Sequence, residues 1–424
     1  MVPGESMKAV ILAAGKATRF GGLKPLAPLF GMPIIEHTIR GLHKIDVKDV
    51  AIVYNDKRIR EYLEKKYPEI KFIHNPNPER ENGYSAYLAK EFANEPFILV
   101  MADHYYSSNF FSFFKNFENM KFEGCVIFVS KEAIGPEEAT KVKVESNKVV
   151  KIEKNLENYD YFDTGMFYCT PEIFNYGEKL LSHQIIKLSD IMNFLARDGK
   201  LHYQAIEGFW IDIDTKEELK IAEKEIEKSM MKKGDGYISK LINRKISIRI
   251  TKMLAPYNFA TPNFLTLISF LFGLISFLLF FLHHPVLGGI MTQLTSIVDG
   301  CDGEMARLKK LQSKFGASFD AISDRYVDIL IVLGILANLP INQLTLLSFF
   351  FAVTGVILFS YAWHLTQVRI KFGGRDMRLF LIFLFALLSP FAPNALLLSL
   401  LIVIGGITHV SVILSLLKLK LRGE

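Results

Sequence analysis

Cysteine and tryptophan are scarce in this chain, which has 424 residues but only 3 Cys and 2 Trp. Cys125, Cys169 and Cys301 are scattered, and their spacing gives neither a disulfide framework nor a zinc pattern. The net charge of +6 is modest, and much of the Lys and Arg lies beside apolar runs, which suits a membrane surface better than nucleic acid. We therefore expect reduced thiols, membrane lipids as partners and no nucleic-acid partner.

We expect no secretory leader, because the apolar run near the start, Ala9-Val10-Ile11-Leu12, has the pattern of a strand. Residues 1 to about 235 have the composition of a soluble α/β protein, whereas residues from about 260 to 417 are mostly long apolar runs. A charged, helix-like segment separates the two regions and ends at Gly234-Asp235-Gly236. We expect a cytosolic domain over 1–232 and a membrane domain over 233–424.

The apolar half contains six candidate membrane spans, of which the fifth is the shortest. Lys and Arg concentrate in every second loop and in the tail, which predicts that both chain ends lie on the cytoplasmic side of the cell membrane. A segment before them, about 237–254, has apolar and basic sides, and is either an interfacial helix or a helix packed on the soluble domain. The spans are about 263–282, 286–306, 318–338, 342–366, 378–391 and 393–417.

Four aspartates occur within these apolar segments, where charge is expensive. Asp299 and Asp302 are three residues apart and Asp320 and Asp324 are four apart, so each pair shares one helix face. Each carboxylate facing lipid at mid-bilayer would cost about 2.5–3.5 kcal/mol. We therefore expect the four to face one another around a divalent cation.

The motif Asp-x2-Asp-Gly-x2-Ala-Arg-x8-Gly-x3-Asp-x3-Asp, from Asp299 to Asp324, resembles the CDP-alcohol phosphotransferase family at every fixed position. The resemblance implies Mg²⁺ or Mn²⁺ held by these aspartates and transfer of an alcohol phosphate from a CDP-alcohol. It also implies that Asp324 is the catalytic base. The substrate-binding residues that it implies are Thr266, Gly303, Ala306 and Arg307.

Basic residues before the fifth span are candidates for binding an anionic acceptor. These are Arg369, Lys371 and Arg375, and their alternative role is to anchor the chain at the inner membrane surface. Asp328 continues the face of Asp320 and Asp324, and the sequence leaves open whether it binds metal, water or nothing.

The soluble half begins with a strand, a loop containing Gly15, and a helix, an arrangement that surrounds phosphate with backbone N–H groups. Together with Arg19 and Lys24-Pro25, this loop resembles the sugar-1-phosphate nucleotidyltransferases, although Ala17 stands where many members have glycine. The resemblance implies that Arg19 and Lys24 take part in catalysis and that Gly15 binds substrate.

Two acids end strand-like runs in this half, Asp103 after Phe97–Ala102 and Asp212 after Trp210-Ile211. The resemblance implies that they hold the catalytic metal, with Asp214 as an alternative to Asp212. The residues that it implies for binding the alcohol phosphate are Lys154, Asp163 and Gly165, and weaker candidates for the base pocket are Asn82, Gly83 and Ser85.

The whole chain thus predicts a Rossmann-like α/β nucleotidyltransferase domain followed by an all-α, six-helix transmembrane domain with an N-terminal interfacial helix. This arrangement resembles archaeal bifunctional enzymes that join an inositol-1-phosphate cytidylyltransferase to a di-myo-inositol-phosphate-phosphate synthase. The resemblance implies that CTP and inositol-1-phosphate, or another alcohol phosphate, give a CDP-alcohol, which is then coupled to a second inositol-1-phosphate with release of CMP. It also implies a homodimer packed through membrane helices. The alternatives are an enzyme that acts on a lipid and a membrane-anchored module that binds nucleotide without turnover.

Overall fold

The computed structural model describes residues 7–15, 19–116, 123–231, 234–368, 370 and 372–422. The chain divides into two compact units, Met1–Ile226 and Glu227–Glu424. We call them the soluble unit and the membrane unit, after the predictions made from the sequence. The predicted domain boundary, between 232 and 233, lies shortly after this division. All three cysteines are buried free thiols.

The first unit is built on a mixed sheet that has nine strands within the described residues. Alternation of buried residues between two faces gives an apolar core on each side of the sheet. The strands of this unit are β1 Lys8–Ala13, β2 Pro28–Leu29, β3 Met32–Pro33, β4 Asp49–Tyr54, β5 Lys71–His74, β6 Phe97–Met101, β7 His104–Tyr106, β8 Cys125–Ser130, β9 Lys141–Glu145, β10 Lys148–Glu153, β11 Tyr161–Cys169, β12 Leu201–Ala205 and β13 Trp210–Asp212.

The order of the strands fixes where the candidate residues of this unit lie. The central run is β10-β9-β11-β6-β1-β4-β5, in which β1 is parallel to β4 and β6. Strands β7 and β13 form a separate antiparallel ribbon. The helices of this unit are α1 Ile34–Lys44, α2 Lys57–Glu64, α3 Glu81–Tyr87, α4 Ser108–Ser112, α5 Ile173–Lys179 and α6 Leu188–Arg197, and α7 Lys216–Met230 crosses the division between the units.

The described residues of the second unit form helices joined by short loops, and no strand occurs among them. A short π-helical turn, Ser239–Asn243, leads directly into the next helix, and together they account for the predicted helix at about 237–254. Proline occupies the first turn of three of the later helices, where its missing N–H costs nothing. The helices are α8 Arg244–Leu254, α9 Pro262–Phe281, α10 Pro285–Leu308, α11 Lys314–Leu336, α12 Gln343–Thr366, α13 Arg375–Leu388 and α14 Pro393–Leu421.

Three helices in the described part of the chain are long and apolar enough to cross a membrane, namely α9, α12 and α14. Helices α10 and α11 carry the four aspartates, and α13 has only 14 residues, about 21 Å, against a hydrocarbon core of about 30 Å. The chain therefore has a membrane-associated helical region, and the count of six spans stays a prediction. Helix α10 packs against α8, α9 and α13, and α9 also packs against α11, so α9 contacts both aspartate-bearing helices.

Candidate active sites

The first acidic cluster forms where strand ends of the soluble unit meet. Asp103 follows β6, and Asp212 ends β13, where it pairs with His104 of β7. The ligand atoms of Asp103, His104 and Asp212 all lie within 4.8 Å of one another. Two carboxylates at this separation are a donor set that suits a hard divalent cation. The topology thus brings together the two acids that the sequence predicted as metal ligands.

Lys24 lies at the centre of this cluster and is almost completely buried. Its Nζ is 2.6 Å from Asp103 Oδ2, 2.6 Å from Asp214 Oδ1 and 3.7 Å from Asp212 Oδ1. Burial alone would lower the pKa of Lys24, but the charges of Asp103 and Asp212 outweigh it, so the pKa is raised. Lys24 therefore carries a positive charge, and Asp214 joins the cluster beside Asp212.

His104 also belongs to this cluster, although it was not among the site residues predicted from the sequence. Its Nδ1 lies 2.9 Å from the carbonyl oxygen of Thr164, and its Nε2 lies 3.5 Å from Asp212 Oδ1. Burial alone would lower the pKa of His104, but the charge of Asp212 raises it to about 9. Burial would raise the pKa of Asp212, but His104 lowers it to about 2. The only signal in the sequence was its position directly after Asp103.

Arg19 and Lys154 meet at one carboxylate oxygen. Glu138 Oε2 accepts hydrogen bonds from Arg19 Nη1 and Lys154 Nζ, both at 2.7 Å. Hydrogen bonds from Lys154, and then from Arg19, lower the pKa of Glu138. The structure thus brings together two predicted phosphate-binding cations, and it adds Glu138, which the sequence analysis missed.

Asp163 and Gly165 lie next to the cluster of Asp103, His104 and Asp212. The N–H of Gly165 donates to Asp163 Oδ1 at 2.8 Å, and burial raises the pKa of Asp163 to about 6. Gly165 has φ +71, and a Cβ there would lie 2.6 Å from His104 Cε1, so only glycine fits without a clash. The close approach of β11 to His104 therefore depends on this glycine.

A cavity of about 750 Å³ connects these soluble-unit residues. The weaker candidate Asn82 also lines it, whereas Ser85 is buried and accepts a hydrogen bond from Asn75. The N–H of Gly83 donates to the carbonyl of Ile186. Lys16, Ala17 and Thr18 lie outside the described residues. The predicted site residues that line the cavity are Gly15, Arg19, Lys24, Asp103, Lys154, Asp163, Gly165 and Asp212.

The second acidic cluster lies between α10 and α11 of the membrane unit. Carboxylate oxygens of Asp299, Asp320 and Asp324 all lie within 4.8 Å of one another. The i, i+4 spacing places Asp320 and Asp324 on one face of α11, as the sequence predicted. Three oxygen donors so close together fit a hard divalent cation of the Mg²⁺ class.

Asp302 lies one turn along α10 and is not part of this group of three. It is almost fully buried, and its carboxylate accepts a hydrogen bond from the hydroxyl of Thr266 at 2.6 Å. Thr266, a predicted substrate-binding residue on α9, therefore holds the side chain of a predicted metal ligand in this structure.

Arg375 connects the acidic cluster to Asp328. Its Nη1 is 2.8 Å from both Asp299 Oδ1 and Asp324 Oδ1, and its Nε is 3.1 Å from Asp328 Oδ1. Arg378 Nη2 donates to the other oxygen of Asp328 at 2.7 Å. Asp328, whose role the sequence left open, is thus a buried carboxylate beside three arginines, since Arg325 Nε also lies 3.8 Å from its Oδ2. Arg369 and Lys371 lie outside the described residues.

The remaining motif residues, Gly303, Ala306 and Arg307, are half-buried further along α10. Arg307 Nη2 donates to the carbonyl oxygen of Met230 at 2.7 Å, so its guanidinium has a protein partner here. Its binding of phosphate stays a prediction. The cavity beside the cluster, about 470 Å³, is lined by Asp299, Asp320, Asp324 and Arg375.

Two protein families match different parts of the chain. Residues 9–133 match the MobA-like NTP transferase domain, and residues 259–416 match the CDP-alcohol phosphatidyltransferase family. The first match includes Gly15, Arg19, Lys24 and Asp103, and the second includes all four aspartates of the membrane motif.

Relatives match across both units. A "Bifunctional IPC transferase and DIPP synthase" of Archaeoglobus fulgidus is 39% identical over 401 residues, which cover 90% of this chain and 79% of that protein. A protein of the same description from Aquifex aeolicus is 36% identical over 432 residues, which cover 96% of each chain. The solved structure of the inositol-1-phosphate CTP transferase from T. maritima is similar to 52% of this chain and 95% of its own, at 26% identity and a TM-score of 0.47.

The arrangement of two acidic sites, one on a sheet and one between helices, thus occurs in a chain that is similar to these relatives over nearly its full length. This chain belongs to the family of bifunctional IPC transferases and DIPP synthases.

Proposed function

We propose that the chain catalyses two consecutive phosphoryl-group reactions, one in each unit. The soluble domain, proposed to comprise residues 1–232, converts CTP and inositol-1-phosphate to CDP-inositol and pyrophosphate. The membrane domain, proposed to comprise residues 233–424, transfers inositol phosphate from CDP-inositol to a second inositol-1-phosphate, which yields di-myo-inositol-phosphate-phosphate and CMP. The observation that carries this proposal is the presence of two separate acidic clusters, each beside a positively charged side chain, in a chain of this family.

In the soluble unit, the reaction is attack by a phosphate oxygen of inositol-1-phosphate on the α-phosphorus of CTP. Arg19 and Lys24 bind the triphosphate, and the backbone at Gly15 approaches it closely. Lys154 binds the phosphate of the alcohol, with Asp163 and Gly165 beside it. These residues position two anions against each other and offset their charge, which is the main demand of such a transfer.

In the membrane unit, a hydroxyl of the acceptor attacks the phosphorus that carries inositol in CDP-inositol. Asp324 takes the proton from that hydroxyl as general base, and the cytidine monophosphate group leaves. Gly303, Ala306 and Arg307 line the nucleotide side, while Arg375 and Arg369 attract the phosphate of the acceptor. Thr266 holds Asp302 through its hydroxyl.

Both acidic clusters suit Mg²⁺ or Mn²⁺, with Asp103 and Asp212 as ligands in one and Asp299, Asp302, Asp320 and Asp324 in the other. A divalent ion bound there would polarise phosphate oxygens and stabilise the departing phosphate group.

The helical unit, on this proposal, crosses the cell membrane six times with both chain ends in the cytoplasm. The concentration of Lys and Arg in alternate loops supports this topology. Exposed apolar side chains on α9, α12 and α14 would contact lipid or a second copy of the chain in a homodimer.

Phosphorus NMR of membranes that contain the protein, incubated with CTP, Mg²⁺ and inositol-1-phosphate, tests the proposal. Release of pyrophosphate, followed by CMP and a water-soluble phosphodiester, is the expected result. Label extracted into chloroform would instead identify a lipid substrate, and the absence of turnover would identify a nucleotide-binding module. Either of these outcomes would overturn the proposal.

A further inference from the structure

A group of buried charges lies beside the membrane-unit cluster and has no role in the chemistry described above. Arg244 of α8, Glu304 of α10 and Asp235 are 7%, 0% and 5% exposed. Arg244 Nε and Nη2 donate to the two carboxylate oxygens of Asp235 at 3.0 and 3.1 Å. Arg244 Nη1 donates to Glu304 Oε1 at 2.6 Å. One guanidinium therefore joins two carboxylates by a fixed fork of donors.

Glu304 is further held by hydroxyl groups of α8. Ser247 Oγ donates to Glu304 Oε1 at 2.6 Å, and Thr251 Oγ1 donates to Glu304 Oε2 at 2.7 Å. Arg244, Ser247 and Thr251 lie at positions i, i+3 and i+7 of α8, so one stripe of that helix surrounds a single carboxylate. Such a saturated network fixes the distance and rotation of α8 against α10.

The network reaches the backbone directly beside a predicted metal ligand. Arg244 Nη1 also donates to the carbonyl oxygen of Gly300, which is bonded to Asp299 in the chain, at 3.1 Å. A Cβ on Gly300 would lie 3.2 Å from Arg244 Nη1 and from Ser247 Oγ, which is tighter than ordinary contact. Glycine at this position thus lets α8 approach the backbone of α10 at Asp299.

The residues just before Arg244 also contact the helix that carries Arg375. The backbone N–H of Ser239 donates to Asp376 Oδ2 at 3.0 Å, and Asp376 follows Arg375, which contacts Asp299 and Asp324. Asp235, Ser239 and Arg244 line the same cavity as Asp299 and Asp324. All three residues precede residue 259, where the match to the CDP-alcohol phosphatidyltransferase family begins.

We propose that Arg244 is a positioning residue for the membrane-unit metal site. It holds α10 through Glu304 and Gly300, and so it sets where the Asp299 carboxylate stands relative to Asp320 and Asp324. This inference rests on the proposed function of the membrane unit, because it assigns Arg244 a role in assembling that site. On this proposal, the segment from Asp235 to Thr251 lines the active site and also lies at the membrane surface.

The test substitutes Arg244→Lys in the full chain, because an ammonium cannot keep the fork to Asp235 while it reaches Glu304 and Gly300. Arg249→Lys is the matched control, since Arg249 is exposed on the same helix. Mn²⁺ binding is measured by electron paramagnetic resonance in chains that also carry Asp103→Ala and Asp212→Ala, which remove the carboxylates of the soluble cluster. The Mg²⁺ dependence of CMP release from added CDP-inositol is measured in parallel.

Arg244→Lys is expected to weaken Mn²⁺ binding about tenfold and to raise the Mg²⁺ needed for the half-maximal rate by a similar factor. High Mg²⁺ should then restore most of the rate, while Arg249→Lys changes neither quantity. Unchanged Mn²⁺ affinity and an unchanged Mg²⁺ midpoint would overturn the inference, even if the maximal rate fell, because that pattern describes a loss of folded protein only.

Glu304→Gln is a second variant in case Arg244→Lys does not accumulate in membranes, and it should shift both quantities in the same direction. If the unsubstituted chain released no CMP at all, the proposed function would fail. The Mn²⁺ titration would still decide whether Arg244 positions the site, so the two failures are distinguishable.

Discussion

The two acidic sites of this chain are assembled in opposite ways. In the membrane unit, two of the three clustered carboxylates, Asp320 and Asp324, come from one helix at a spacing of four residues. In the soluble unit, Asp103 and Asp212 are distant in the sequence and meet through a strand order and a two-stranded ribbon. A helix thus places site residues by local periodicity, whereas a sheet places them by its topology.

The sites agree in how their negative charge is balanced. Lys24 contacts Asp103 and Asp214 in one, and Arg375 contacts Asp299 and Asp324 in the other. They differ in burial, because the contacted side chains Asp103 and Asp214 are 29% and 32% exposed, against 26% and 16% for Asp299 and Asp324. The difference is clear only for Asp324, and Lys24 is itself more buried than Arg375, at 7% against 13% exposed.

The largest expected effect is that of Asp324→Asn. This substitution removes the proposed base from the membrane site, so CMP release should fall by about 10²–10⁴-fold. Formation of CDP-inositol, followed as pyrophosphate release in the same sample, should be unchanged and serves as the internal control. Parallel loss of both activities would show that the two sites are not independent.

Asp103→Ala should have the converse effect on the soluble site. Pyrophosphate release from CTP and inositol-1-phosphate should fall about 10²–10³-fold, since a proposed metal ligand and one of the partners of Lys24 are both lost. A chain with this substitution that still formed CDP-inositol at the normal rate would remove Asp103 from the site. Circular dichroism before the assay shows whether the soluble unit is folded.

Asp328→Asn should lower the stability of the membrane unit rather than abolish CMP release. It leaves Arg375 and Arg378 without their shared buried carboxylate, at a cost of about 3–5 kcal/mol. Thermal unfolding in detergent measures the loss. The double variant Asp328→Asn with Arg378→Met should recover part of it, because it also removes Arg378, whose carboxylate partner is Asp328. Equal unfolding temperatures for all three chains would contradict this account.

The smallest expected effect is that of Glu138→Gln in the soluble site. Glu138 is exposed, and its carboxylate competes with phosphate for Arg19 and Lys154. Removing the charge should therefore lower the KM for inositol-1-phosphate, by less than about fivefold, as is typical of exposed ion pairs. Glu137→Gln, at an exposed neighbouring position, is the control and should leave the KM unchanged. A higher KM in Glu138→Gln would mean that the carboxylate helps to bind the substrate.

The contrast between placement by helical spacing and placement by sheet topology also explains how much of the fold and of the sites the sequence could predict. The sequence predicted a helix near each of the six later helices, three of which are long and apolar enough to span a membrane, and α9 begins at Pro262 against a predicted 263. Helical spacing alone places Asp320 and Asp324 together on α11, whereas Asp299 joins them from α10 through the packing of the helices. In the soluble unit, Asp103 and Asp212 were selected because each ends a buried strand, at the edge where such sheets bind ligands.

The residues that were missed depend on contacts between distant segments. His104 is recognisable only once β13 pairs with β7, and Glu138 only once its loop meets Arg19 and Lys154. Glu304 stands at a position that the motif leaves unspecified, so its partnership with Arg244 appears only when α8 packs on α10. Local sequence patterns therefore predicted the candidate metal ligands. The neighbouring residues that contact the site, such as His104, Glu138 and Glu304, could be found only from the tertiary packing.

The division of chemistry between the two sites is tested most directly by giving synthetic CDP-inositol and inositol-1-phosphate to the Asp103→Ala chain and measuring CMP release. The account predicts the rate of the unsubstituted chain, because the membrane cluster is intact and its donor is supplied. A rate as low as that of Asp324→Asn would contradict it.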